Sequence, residues 1–156
     1  MTKVDWSKVN NFERKEWRYK PDIALPELVY LVNDLTNFVK KVFSKSAFCI
    51  IHQAFEATGH ENNSLHYPNG NGKVRAVDLH FETISLIDQY FSAERFPFTG
   101  IGCYPLWRNP GLHLEIEDGV IIPGKRWMRT SAGYIGISSK TIQYILPKDS
   151  ANVAIL

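Results

Sequence analysis

The sequence predicts an α+β fold: a small, mainly antiparallel sheet with helices packed on one side. Three observations predict it. Apolar residues step by three and four over residues 26–43, the period of an amphipathic helix. Short apolar or alternating runs at 47–55, 74–81, 100–104 and 112–116 have the length and period of strands. These runs do not alternate regularly with helices, as a parallel sheet would require.

Taken in order, residues 1–25 read as an N-terminal arm, polar and aromatic, with Phe12 and Trp17 flanking Glu13-Arg14-Lys15-Glu16. The first helix begins at Pro26, whose fixed φ suits a first helical position. Its apolar face is Leu28, Leu31, Val32, Leu35, Phe38, Val39 and Val42, and Lys40-Lys41 near its end suit the helix dipole. A strand at 47–55 is followed by a loop to residue 75, in which Pro68-Asn69-Gly70-Asn71-Gly72 is turn chemistry. A strand at 74–81 leads to a second helix, predicted over 83–96 from Ile84, Ile87, Phe91 and Ala93. Strands at 100–104 and 112–116 flank a loop containing Trp107, Arg108 and Pro110. Strand-like pieces at 126–129 and 134–146, the latter bending at Ser138-Ser139, bring the count to about five strands, a usual sheet size.

Composition narrows the function. The 156 residues make one domain's worth of chain, long enough to bury a continuous core. A net charge of +2, without a long run of like charge, is too small for a nucleic-acid footprint. No apolar run reaches the roughly 18 residues of a membrane span. The start of the chain, Met1-Thr2-Lys3-Val4-Asp5-Trp6, lacks a signal-peptide core. The expectation is synthesis in the cytoplasm, with release required for any action elsewhere. Cys49 and Cys103 are too few for a disulfide framework and read as buried, reduced thiols.

The chemistry lies in polar residues set within apolar strands. Side chains two apart on a strand share a face. His113, Glu115 and Glu117 therefore point one way, while Leu112, Leu114 and Ile116 point the other. Asp78 and His80 likewise share a face, and His66 ends a polar loop twelve residues before Asp78. Two imidazoles and one carboxylate suit zinc with an open fourth position, the catalytic pattern. By spacing alone these residues serve equally as the wetted face of an antiparallel sheet.

At these residues the chain resembles a known family. Ser64-Leu65-His66-Tyr67 followed by Arg75-Ala76-Val77-Asp78 is similar to the S-x-H…G-x-A-x-D signature of the hedgehog/D-Ala-D-Ala zinc peptidase superfamily. Pro110-Gly111-Leu112-His113-Leu114-Glu115 resembles the strand that bears that family's second histidine, usually H-x-D. Phe12-x-x-x-Glu16-Trp17 and Trp127 resemble flanking features of its phage-type members. The resemblance implies a hedgehog/DD-peptidase-like fold with zinc held by His66, Asp78 and His113. It also implies a metallopeptidase, D-Ala-D-Ala carboxypeptidase-like or a peptidoglycan endopeptidase, with wall stem peptides as partner.

Three departures accompany the resemblance. The spacing from His66 to Asp78 is longer than the family's. The arginine of its S-G-Y-R strand end is missing from His52-Gln53-Ala54-Phe55-Glu56, and Pro110 stands where many members carry a catalytic glutamate. Glu115 is therefore the candidate catalytic base, with orientation of a ligand as its other role. Arg108 or Arg75 is the candidate carboxylate clamp. Tyr104 and Trp107 are candidate walls of the cleft. His52, with His60 and His80, is a candidate for contacting substrate and protonating a leaving amine. The alternative expectation is a zinc-binding, non-catalytic structural or wall-binding module of the same fold.

Overall fold

A computed structural model describes residues 3–18, 20–55, 64–117, 119–120 and 124–146. Among them are two helices, α1 (Pro26–Val42) and α2 (Leu86–Ala93). They accompany six strands: β1 (Cys49–Gln53), β2 (Ala76–Phe81), β3 (Gly100–Tyr104), β4 (Gly111–Glu115), β5 (Lys125–Thr130) and β6 (Gly133–Gly136). The strands form one sheet in the order β1-β2-β4-β3-β5-β6. Every pairing is antiparallel except β3 with β5, which is parallel, so the sheet is mainly antiparallel, as the sequence predicts.

Helix α1 forms where its periodicity places it. Pro26 occupies the first turn beside Glu27, and Lys40 and Lys41 the last, both matched to the dipole. Leu28, Val29, Val32, Leu35 and Val39 are fully buried, each contributing about 1.5–3 kcal/mol of apolar burial. Val42 was expected on this face but is 54% exposed, because it stands in the last turn, beyond Val39. Asn33, on the same buried face, accepts hydrogen bonds from the backbone N–H groups of Asn10 (3.1 Å) and Asn11 (3.2 Å). Those bonds fasten the arm, whose Phe12 and Trp17 meet edge to face at 6.1 Å and are both buried.

The second helix is shorter than 83–96. Thr83 has φ +65°, outside the helical region, so the helix waits for Ser85, whose hydroxyl caps the Asp88 N–H. The strand expected from Val74 begins at Ala76; Val74 instead makes a parallel bridge to Ala24. The strand expected over 134–146 stops at Gly136. There the Thr141 hydroxyl donates to the Gly136 carbonyl (2.7 Å) and accepts from the Ser138 N–H (2.8 Å), turning the chain into a 3-10 turn at Ile142–Ile145.

Strand alternation divides the sheet into two faces. Val77, Leu79, Ile101, Cys103, Leu112, Leu114 and Met128 are buried in one apolar cluster with the α1 residues. The other face carries Asp78, His113 and Glu115. Register places Asp78 opposite His113, His113 opposite Gly102, and Gly102 opposite Trp127, one row across four strands. The glycine in that row is a space requirement. A Cβ at Gly102 would lie 2.5 Å from the Trp127 indole. Gly100 makes the same room beside Glu115, whose Oε1 would lie 2.2 Å from a Cβ there.

Cys49 and Cys103 are free thiols, and burial pushes both up to about 12. Among the described residues, no helix is long and apolar enough to cross a membrane.

Candidate metal centre

His66, Asp78 and His113 converge, although they come from a loop and two different strands. Asp78 and His113 are register partners on β2 and β4. His66 is delivered from the loop before β2, which is fixed to the sheet where the Arg75 N–H donates to the Leu65 carbonyl (3.0 Å). The Asp78 Oδ1 lies 2.8 Å from His113 Nδ1 and 3.5 Å from His66 Nε2, and the two nitrogens are 3.3 Å apart. Three donors bound at about 2.1 Å around one tetrahedral centre are separated by about 3.4 Å, so the triangle is of the size a metal ion needs. The group could hold such an ion.

The remaining ring nitrogens fix both histidines for that task. His66 Nδ1 lies 2.9 Å from the Ala54 carbonyl, which can only accept. The proton therefore sits on Nδ1, and the Nε2 lone pair turns toward Asp78 and His113. His113 Nε2 lies 3.1 Å from Glu115 Oε2, and its Nδ1 faces the cluster. Each ligand ring is thus backed by an acceptor, a carbonyl for one and a carboxylate for the other, as metal-binding histidines generally are.

Electrostatics favour binding a cation. Burial opposes ionisation of Asp78, but the hydrogen bond from the His113 ring outweighs it and holds the carboxyl well below its usual range. In the metal-free chain burial would lower His113, yet the hydrogen bonds to Asp78 and Glu115 raise it to about 9.

Two recesses open beside the cluster, and Asp78 and Trp107 line both. One, of about 430 Å³, is walled by Tyr104, Trp107, Trp127 and Tyr134 and contains His66, Asp78 and His113. The other, of about 380 Å³, is lined by His52, Gln53, Asp78, Trp107, Arg108 and Asn109. Tyr104 and Trp107 stack at 4.2 Å, forming the ridge between them.

The structure brings some of the candidate residues to these two recesses and leaves others apart. Glu115 is buried, in contact with His113 rather than exposed to either recess. Arg108 is exposed at the polar recess, whereas Arg75 is half-buried and lies outside both. His52, at the β1 irregularity, lies 2.6 Å through Nε2 from His80 Nδ1, and burial lowers the pKa of both rings. Pro110 is exposed, its carbonyl accepting from Gln89 (3.3 Å). His60 and Glu56 lie outside the described residues.

Two participants escaped the sequence reading. The Ala54 carbonyl is backbone, which no residue type announces. Tyr134 reads as an ordinary strand residue until β6 folds back on β5 and sets it opposite Arg129, whose guanidinium lies 4.5 Å from its ring. No family model matches the chain, and no curated protein or solved structure matches it either.

Proposed function

We propose that this chain is a zinc-dependent peptidase that hydrolyses a peptide bond in bacterial peptidoglycan stem peptides, in a phage or prophage setting. The observation that carries the reading is the 2.8–3.5 Å triangle of two imidazole nitrogens and one carboxylate oxygen, beside an open recess. Structural zinc sites are closed by four protein ligands, whereas three ligands with an accessible fourth side is the catalytic arrangement. The resemblance of the segments around His66, Asp78 and His113 to wall peptidases supplies the substrate class.

His66, Asp78 and His113 would hold the ion, and zinc there would supply a bound water of lowered pKa and Lewis-acid polarisation of a carbonyl. The chain's residues do the rest. Ala54 and Glu115 hold the two imidazoles in the tautomers and orientations that present lone pairs to the ion. Asp78 remains ionised and offsets one of its charges. Arg108, Gln53 and Asn109 offer a fixed cation and amide donors to a stem peptide's carboxylate. His52 stands at the same recess, within reach of a departing amine. The aromatic recess takes the chain on the other side of Trp107.

A second reading is favoured by one feature. Glu115 is engaged with His113 and Pro110 replaces a glutamate, so no carboxylate from either position reaches the recess. That arrangement suits a zinc-binding structural or wall-binding module of the same fold. Incubation of the purified chain with stem peptides, with and without chelator, separates the two. Cleavage that chelator stops and zinc restores supports the peptidase; bound zinc without cleavage supports the module.

A further inference from the structure

We propose that the Tyr104 hydroxyl is a catalytic hydrogen-bond donor to the oxygen of the scissile carbonyl; the inference rests on the peptidase reading above. Tyr104 follows Gly102 by two residues on β3, so it rises from the same face as His113, one step along the sheet. It lines the aromatic recess with all three candidate metal ligands. Its ring is held by the stack on Trp107, at 4.2 Å and 19° between planes.

Trp127 and Tyr134 line the same recess. A phenolic O–H can donate to a carbonyl oxygen that enters it. Burial pushes the Tyr104 pKa up, so the donor keeps its proton throughout the working range of a peptidase. A side chain at Gly102 would collide with Trp127, which lines the same recess.

The step is peptide hydrolysis. The water oxygen bonds to the carbonyl carbon while the carbonyl π pair moves onto its oxygen. Tyr104 donates a hydrogen bond to that oxygen and retains its proton. The pair then re-forms the carbonyl, the C–N bond breaks, and the departing amine takes the proton released by the water. A donor that meets charge only as it develops raises the rate without tightening substrate binding.

Tyr104→Phe keeps the stacked ring and removes only the O–H. With zinc content unchanged, kcat is expected to fall about a hundredfold and KM to stay within about threefold, the loss typical of one such donor. A phosphinate analogue of the cleaved stem dipeptide, titrated calorimetrically, should lose affinity by the same factor. Uncleaved stem peptide should bind the metal-free variant as it binds the metal-free parent. Tyr144→Phe, at an exposed residue that lines neither recess, should leave kcat nearly unchanged. Unchanged kcat in Tyr104→Phe, or unchanged phosphinate affinity, would overturn the assignment while leaving the peptidase reading intact. A parent chain that binds zinc yet cleaves no stem peptide would overturn both.

Discussion

The Nε2 nitrogen of His113 lies 3.1 Å from Oε2 of Glu115, two residues along the same strand, while Nδ1 of the same ring faces Asp78 at 2.8 Å. One imidazole therefore spans a buried carboxylate and the candidate ligand triangle. Because the ring is planar and its nitrogens point apart, Glu115 acts on the centre through His113. We propose on this geometry that Glu115 orients His113, a role separate from that of catalytic base.

Glu115→Gln tests the separation. An amide oxygen still accepts from Nε2–H, but without charge, so zinc affinity should weaken by about 10–100-fold. At saturating zinc, turnover should remain within a fewfold of the parent. Competition with a chromogenic chelator and kinetics at full loading give the two numbers. Turnover abolished in the fully loaded variant would instead identify Glu115 as the proton acceptor.

The chain free of any ion should show a pH dependence. In the metal-free chain His113 is raised to about 9, above an unfolded value near 6.5. The stability it contributes is present in full below about pH 6.5 and fades as pH rises through about 9. Asp78 is shifted the other way, so its contribution is present above the unfolded carboxylate range and lost on acidification. Denaturation midpoints in chelator should therefore fall toward pH 9 and, separately, in acid. Zinc binding at pH 7 should release about one proton per ion from His113, measurable in buffers of different ionisation enthalpy. Release of no proton would contradict the doubly hydrogen-bonded imidazolium.

Gly102→Ala places a methyl 2.5 Å from the Trp127 indole, which packs against His113 at 5.4 Å between ring centroids. The expected cost is about 1–3 kcal/mol from overpacking, together with a change in tryptophan fluorescence. Gly70→Ala, where nothing lies within 4 Å, is the control and should be nearly silent. Equal denaturation midpoints for the two variants would show that the row across the sheet tolerates side chains.

Trp17→Ala tests whether the arm belongs to the core. Trp17 is 1% exposed and meets Phe12 edge to face, so truncation should cost about 3–5 kcal/mol in chemical denaturation. A loss below about 1 kcal/mol, the range of ordinary surface changes, would mean that the arm is merely laid on the body.

What could be read from the sequence follows from the range of each interaction. Helix α1 depends on neighbours three and four residues away, and its start at Pro26 and its buried face are visible in the spacing. The shared face of Asp78 and His80, or of His113 and Glu115, follows from a period of two. Which strands pair is a long-range matter. Nothing near Lys125 reveals that β5 runs parallel to β3, and nothing near Asp78 names His113 as its partner. Glycines were equally silent. Gly100 and Gly102 read as weak strand residues, yet their missing side chains accommodate Glu115 and Trp127. Over 134–146 the alternation continues past Gly136, but the Thr141 hydroxyl competes for the backbone and ends the strand.

The central claim is that His66, Asp78 and His113 hold one zinc ion. The most direct measurement is elemental analysis of the purified chain beside His66→Ala, each dialysed against trace zinc and checked for native folding. The account expects about one zinc per chain in the parent and loss of the ion in the folded variant. A folded parent without zinc, or a variant that keeps its full complement, would contradict it.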